Sequence, residues 1–274
     1  MTETIELGFI GDAPANYDKY LGPHLFEDYA ADLARRAAVE RPQHVLELAC
    51  GTGISGRALR NALAAETELV LTDFSDDMLE IARLKFGPDE NASFQTADAM
   101  DPPFESDKFD LISCQFGVMF LPDRPAAYRA IREVLHPGGL FLFNAWGDLA
   151  ANPFAALTAV FSDELFPDDP PAFMRMPFSY SDPELAQREL RDAGFYGVGG
   201  ETVRYAKTVE NWAHLARGLI LGNPLGAEIA ARGGPAPDAV IESLAARFET
   251  AMGPAPTSMP LEAHVTWGRK PDEA

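Results

Sequence analysis

Through the first half of the chain, short apolar runs alternate with longer stretches whose apolar positions recur at helical spacing. The runs HVLELA (44–49), ELVLTD (68–73), ASFQTA (92–97), FDLISCQF (109–116) and GLFLFNAW (139–146) read as strands. Between them SGRALRNALAA, SDDMLEIARLKF and PAAYRAIREVL read as helices. Such alternation predicts a parallel sheet with helices on both faces, and right-handed crossovers leave few topologies. Ahead of the first strand, Leu25, Tyr29, Leu33 and Ala37 recur every four residues. Part of 16–37 is therefore expected as an amphipathic helix packed on the sheet, with Tyr17 and Tyr20 lying ahead of its stripe.

The rhythm changes in the second half. Residues 147–180, centred on FPDDPPAFMRMPF, are rich in Pro and Phe and are expected to form an irregular or mobile cover. SDPELAQRELRDAGF (181–195) reads as a helix with Ser181 as N-cap and Gly194 as its stop. GGETVRYAKTV (199–209) and PLEAHVTWGRK (260–270) read as strands. Two helical stretches between them, about 210–231 and 237–252, form a long insertion within one sheet, which argues for a substrate cover rather than a separate domain.

Composition narrows this picture. A chain of 274 residues with 47% hydrophobic residues can build one large core, so a single domain over 1–274 is expected. No apolar run approaches the ~20 residues of a membrane helix, and MTETIELGFIGDAP lacks the basic-then-apolar pattern of a secretory signal. The two cysteines, Cys50 and Cys114, both sit in apolar runs and read as buried thiols in a reducing compartment. The expected location is cytoplasmic. A formal charge of −20 repels phosphate backbones, so no nucleic-acid partner is expected.

The candidate chemistry begins at VLELACGTGISG (45–56), where Gly51, Gly53 and Gly56 follow the first strand with G-x-G-x-x-G spacing. Glycine lets the backbone turn sharply and approach a ligand. The turn lacks the Lys-Ser/Thr ending of a phosphate-binding loop, which removes nucleoside triphosphates. Asp73 ends the second strand, where a carboxylate accepts from both hydroxyls of a ribose. Asp98 ends the third strand and can accept from the exocyclic amine of adenine. Glu47 lies within the first strand, at a position usually apolar in dinucleotide folds. Carboxylates gathered here repel a pyrophosphate but not a ligand carrying a positive centre and an ammonium group, so the dinucleotide reading loses.

With VLELACGTG (45–53), LTDFSDDMLEIAR (71–83), FQTADAMDPPFESDKFDLISCQFGVMFLPD (94–123) and LHPGGLFLF (135–143), the chain resembles the class I S-adenosylmethionine-dependent methyltransferases, in the group similar to ubiquinone and menaquinone biosynthesis methyltransferases. The resemblance is strong over 43–145 and loose elsewhere. It implies an α/β Rossmann-like three-layer sandwich whose seven-stranded, mostly parallel sheet runs 3-2-1-4-5-7-6, with YAKTV and AHVTW in the final pair. It implies S-adenosyl-L-methionine as cofactor and S-adenosyl-L-homocysteine as product. Carried over by residue, Glu47, Ala49, Gly51 and Gly53 line the methionine part and Asp73 binds the ribose. Phe74 and Met78 flank the adenine, Asp98 and Ala99 meet its edge, and Gln115 and Phe116 lie beside the sulfonium. The segment 1–42 is expected as an N-terminal helical lid in which Tyr17 and Tyr20 close over the methionine end. Residues 147–180 and 210–256 are expected as substrate-cover segments.

Methyl transfer from a sulfonium needs a general base only if the acceptor arrives protonated. Of His24, His44, His136, His214 and His264, only His214, in ENWAHLARGL on the proposed cover, is a candidate. Trp212 and Tyr180 are expected as pocket walls, and no metal ligands are assigned. The Phe, Met and Pro residues of 147–180 point to a small apolar or aromatic methyl acceptor. A cofactor-binding protein of the same fold acting as partner or sensor, and an NAD-dependent oxidoreductase, are the alternatives.

Overall fold

The computed structural model describes residues 11–272. Its elements in chain order begin with α1 (Ala13–Asn16), a π-helical segment (Tyr17–Phe26) and α2 (Glu27–Val39). There follow β1 (His44–Glu47), α3 (Ile54–Ala62), β2 (Glu68–Asp73), α4 (Asp76–Arg83), β3 (Ala92–Thr96), β4 (Phe109–Gln115), α5 (Arg124–Val134) and β5 (Leu135–Trp146). The second half adds α6 (Pro153–Leu165), α7 (Pro183–Asp192), β6 (Tyr196–Val209), α8 (Trp212–Leu221), α9 (Leu225–Ala231), α10 (Pro237–Met252) and β7 (Thr257–Arg269). The seven strands form one sheet in the order β3-β2-β1-β4-β5-β7-β6, the expected order. β1, β2, β3, β4 and β5 pair in parallel, while β7 runs antiparallel to both β5 and β6.

The strand alternation divides the core in two. On β5, Phe141 and Phe143 enter one apolar cluster and Leu140 and Leu142 enter the other. A two-residue period does this because successive side chains of a strand leave opposite faces. Leu25, Tyr29, Leu33 and Ala37 are all buried, so the four-residue stripe does pack on the sheet. The local geometry is wider than expected at its start. Pro23 lies inside the π-helical segment, where its missing N–H and its ring disrupt an ordinary i→i−4 ladder. The N–H of Glu27 accordingly donates to the carbonyl of Gly22, five residues back.

Three expectations for the second half need correction. Residues 147–180 are irregular only in part: α6 occupies thirteen of them, opened by Pro153 at its first position, which suits a missing donor, and two short 3-10 turns (Leu149–Ala151 and Phe173–Phe178) flank it. The N-cap of α7 is Asp182 rather than Ser181, because its carboxylate accepts from the N–H of Glu184 at 2.8 Å and Pro183 starts the helix. The stretch 210–231 is broken into α8 and α9 at Gly222, Asn223 and Pro224. A Cβ at Gly222 would lie 2.8 Å from the backbone of Tyr17, so α8 approaches the N-terminal segment at backbone contact. Among the described residues no helix is long and apolar enough to cross a membrane.

Candidate functional site

The site lies at the carboxyl ends of β1, β2 and β4, where open α/β sheets bind ligands. Gly51 and Gly53 both have positive φ, +55° and +77°, and Gly53 precedes α3 with no side chain capping its first N–H groups. Gly56 serves differently. A Cβ there would lie 2.0 Å from Leu71 Cδ2 and 2.7 Å from Glu47 Oε2, so the third glycine lets α3 press onto the sheet. Backbone strain gathers at the same edge. Ala49 and Phe116, which follow β1 and β4, both have φ of +50°, a region that non-glycine residues rarely enter. Phe116 is held there by its N–H, which donates to Asn144 Oδ1 at 2.9 Å.

Asp73 organises the turn. Its Oδ2 accepts from the N–H of Gly51 at 2.8 Å and its Oδ1 from the N–H of Ser75 at 2.9 Å. Desolvation by burial raises its pKa, and backbone donors including Gly51 and Ser75 oppose that rise. Glu47 is 0% exposed and neither of its carboxylate oxygens meets full hydrogen-bond geometry among the described residues, although the nearby Ser55 hydroxyl partly offsets the rise in its pKa. Burial first, then the charge of Asp73, push it up to about 8. An unpaired buried carboxylate is costly, and a ligand with a cationic group at this edge would relieve that cost. The residues present therefore fit a cofactor carrying an ammonium and a sulfonium.

The other expected residues separate. Phe74 is 63% exposed, so it is no part of the core, while Met78 is buried on α4. Asp98 is exposed, accepts from the N–H of Met100 at 2.8 Å, and stands at the end of β3 with half-buried Ala99 beside it. Gln115 donates through Nε2 to the carbonyl of Phe26 at 3.2 Å, and its Oε1 is buried without a partner. Phe116 stacks on Trp146 with ring centroids 4.1 Å apart. Cys50 and Cys114 are buried free thiols. Burial, reinforced by Glu47, raises both, Cys114 to about 12, so they stay protonated and inert.

The N-terminal segment closes over this edge. Tyr17 stacks on Phe26 at 4.9 Å, and burial together with the charges of Asp73 and Asp18 raises its hydroxyl pKa. Tyr20 turns instead to the cover, where its ring meets His214 edge-on at 5.6 Å. In the widened turn of a π segment, residues three apart no longer share a face. A latch that the sequence did not reveal joins the segment to the glycine turn. Asp18 accepts from Thr52 Oγ1 at 2.7 Å and from Lys85 Nζ, and Lys85 also donates to the carbonyl of Thr52 at 2.8 Å.

Beside Tyr17 lies an apolar cavity of about 70 Å³. Its walls come from four places: Tyr17, Leu21, Leu25 and Phe26 of the N-terminal helix; Phe116, Phe120 and Trp146 after β4 and at the end of β5; Phe154, Phe173, Met174, Pro177 and Phe178 of the 147–180 cover; and Leu219 and Asn223 of the later insertion. Pockets for drug-sized ligands hold roughly 300–1,000 Å³, so a ring-sized ligand requires the cover to move. His214 is not among these walls. It is exposed on α8, and burial lowers the pKa of the neighbouring His24, whose ring Nδ1–H donates to the carbonyl of Tyr20 at 2.9 Å. Neither expected aromatic walls this cavity: Tyr180 donates to Glu189 at 2.6 Å, whereas Trp212 packs on Phe248, donates to the carbonyl of Gly253 at 2.8 Å and lines a separate, open hollow between α8 and α10. Among the described residues no group of three or more His, Cys, Asp or Glu is arranged to hold a metal ion.

Residues 45–139 match the family described as a methyltransferase domain. Over 102 residues the chain is 36% identical to the demethylmenaquinone methyltransferase of Staphylococcus aureus (strain MRSA252), an alignment spanning 37% of this chain and 42% of that protein. Among solved structures it is similar to Haemonchus contortus phosphoethanolamine N-methyltransferase 2, in complex with phosphomonomethylethanolamine and S-adenosylhomocysteine. That likeness has a TM-score of 0.60 and 15% identity, covering 94% of this chain and 57% of the other. It is similar also to the [4+2]-cyclase SpnF, with a TM-score of 0.55 and 18% identity over 90% of this chain and 82% of the other. At such identities the two structures speak for the fold alone.

Proposed function

We propose that this chain, which belongs to the class I S-adenosylmethionine-dependent methyltransferases, transfers a methyl group to a small apolar or aromatic metabolite. The observation that carries this reading is the continuity of two sites. Tyr17 and Phe116 wall the aromatic cavity, and Tyr17 also feels the charge of Asp73 at the glycine-turn edge. An acceptor in the cavity would therefore adjoin a cofactor on the strand ends.

When bound, S-adenosylmethionine supplies an electrophilic methyl group and leaves as S-adenosylhomocysteine. In our reading Asp73 holds the ribose; Phe74, Met78, Asp98 and Ala99 surround the adenine; and Glu47, Ala49, Gly51 and Gly53 line the methionine part. Gln115 and Phe116 would lie beside the sulfonium, and Tyr17 would close over the methionine end. The protein's main contribution is alignment, which can supply about 7–11 kcal/mol of barrier reduction. The cavity wall offers no general base, because the Tyr17 hydroxyl is held protonated by its surroundings. The acceptor must therefore arrive nucleophilic, as an enolate, an ionised phenol or an uncharged amine or thioether. The two free thiols suit a reducing compartment, and we assign the enzyme to the cytoplasm.

The fold does not decide between methyl transfer and another use of the same scaffold, since one similar structure is a cyclase. A screen of apolar and aromatic metabolites, read as release of S-adenosylhomocysteine, makes that decision. Release with a ring-bearing acceptor is the expected result. Tight cofactor binding with no release from any acceptor would favour the partner or sensor role.

A further inference from the structure

The cavity wall is apolar except at Tyr17 and Asn223. Asn223 occupies the break between α8 and α9 and is 8% exposed. Its Oδ1 accepts from the N–H of Leu225 at 3.0 Å, capping α9. That bond fixes the orientation of the amide and commits its oxygen. Its Nδ2 has no hydrogen-bond partner among the described residues, yet it is not among the fully enclosed orphan atoms. A nine-tenths buried residue that walls a cavity thus retains an unused donor with a little accessible surface. Buried amides are rarely left so, because an unpaired donor gives up its hydrogen bonds to water for nothing in return.

Resting on the reading of this cavity as the acceptor site, we infer that Asn223 is a specificity-determining residue whose Nδ2 donates to an oxygen of the methyl acceptor. The acceptor class is then narrower than an apolar ring. It is a mostly hydrocarbon body bearing a carbonyl or ionised hydroxyl oxygen where it meets Asn223. A donor in an otherwise apolar wall discriminates strongly, since an analogue without the oxygen leaves the donor unpaired. The anchoring bond to Leu225 lies within one short stretch of chain, so the donor keeps its orientation when the cover moves.

The test needs no knowledge of the natural acceptor. α-Tetralone and tetralin share a bicyclic frame and differ by one carbonyl. Both are titrated calorimetrically into the full chain saturated with S-adenosylhomocysteine. The intact protein is expected to bind α-tetralone about tenfold more tightly than tetralin, the scale of one hydrogen bond. Asn223→Asp keeps an oxygen for the Leu225 N–H but removes the donor, so it should lose the preference for α-tetralone over tetralin. Tyr17→Phe should retain the preference. Equal affinities in the intact protein overturn the inference, even if the variant fails to fold. A preference abolished by Tyr17→Phe and kept by Asn223→Asp overturns it too, by assigning the donor to Tyr17. Binding of neither probe rejects the acceptor-cavity reading itself, and the role of Asn223 with it.

Discussion

Asp73 Oδ2 accepts a hydrogen bond from the backbone N–H of Gly51 at 2.8 Å. One carboxylate thereby couples the end of β2 to the turn that follows β1. It has two duties in the proposed complex: to shape the turn and to accept from a ribose.

Asp73→Ala should therefore weaken S-adenosylhomocysteine by about 1.5–3 kcal/mol, the scale of a hydrogen bond to a charged group. Asp73→Asn, which retains one acceptor oxygen, should lose less. Calorimetry on both variants checks the order. Equal losses would mean that the charge, or both oxygens together, is needed and that one acceptor oxygen rescues nothing.

The glycines of the turn predict opposite kinds of damage. At Gly56 a Cβ would strike Leu71 Cδ2 at 2.0 Å, and overpacking of this sort costs about 1–3 kcal/mol of stability. At Gly51 a Cβ meets nothing within 4 Å, so Gly51→Ala is penalised only by its positive φ. Denaturant titration should rank Gly56→Ala as the less stable variant, whereas Gly51→Ala should show the weaker cofactor binding for its loss of stability.

Much of this arrangement was legible in the sequence. The strands were legible as apolar runs and the family resemblance implied their order, while on β5 a two-residue alternation gives Phe141 with Phe143 and Leu140 with Leu142 a core on each face. Glycines and strand-end carboxylates marked the cofactor edge. Tertiary contacts were not legible. Asp18 and Lys85 lie outside every motif and far from Thr52 in the glycine turn, and only folding brings the three into one latch. Tyr20 and His214 fall together because Pro23 opens the helix into a π segment and Gly222 draws α8 onto it. Neither event has a hydrophobic period to announce it. Asn223 was missed because a lone Asn before Pro reads as a turn residue.

His214→Ala is expected to leave turnover within about twofold of the unaltered protein. The side chain is exposed and touches Tyr20 outside the cavity, and surface substitutions of this kind have small effects. A loss of a hundredfold or more in kcat, with cofactor affinity intact, would return His214 to the role of base.

Glu47 makes cofactor binding depend on pH. Its folded pKa is raised to about 8 by burial, above its ordinary value near 4.3. The stability linked to this group is fully present below the ordinary value and is lost as pH rises through about 8, because the native state increasingly holds an unpaired charge. A cationic ligand reverses the preference by favouring the ionised form. Binding should release protons between pH 6 and 8, and affinity should rise across that range. Above it the ligand's own α-amine, with a pKa of about 7.7–8.0, loses its charge and the rise should end. Calorimetry in buffers of different ionisation enthalpy counts the protons. Glu47→Gln should abolish the release and flatten the profile, and an unchanged profile in that variant would assign the linkage to another group.

The latch predicts how the N-terminal segment opens. Asp18 bonds Thr52 Oγ1 and Lys85 on the far side of the glycine turn, so a cofactor in that turn and a closed segment should favour one another. Lys19, next to Asp18, is exposed and offers trypsin a cleavage point on the segment. Both partners of the ion pair keep a quarter or so of their side-chain surface in water, which limits the pair to about 1 kcal/mol. Its loss in Asp18→Ala should raise the open fraction roughly fivefold, and cleavage tracks that fraction when reclosing is fast. Trypsin should therefore cut the variant after Lys19 about five times faster than the unaltered chain without cofactor. Saturating S-adenosylhomocysteine should slow cutting in both, because ligand bound beneath the segment draws it closed. Identical rates with and without cofactor would show that the segment is a fixed part of the core and that the latch only braces the turn.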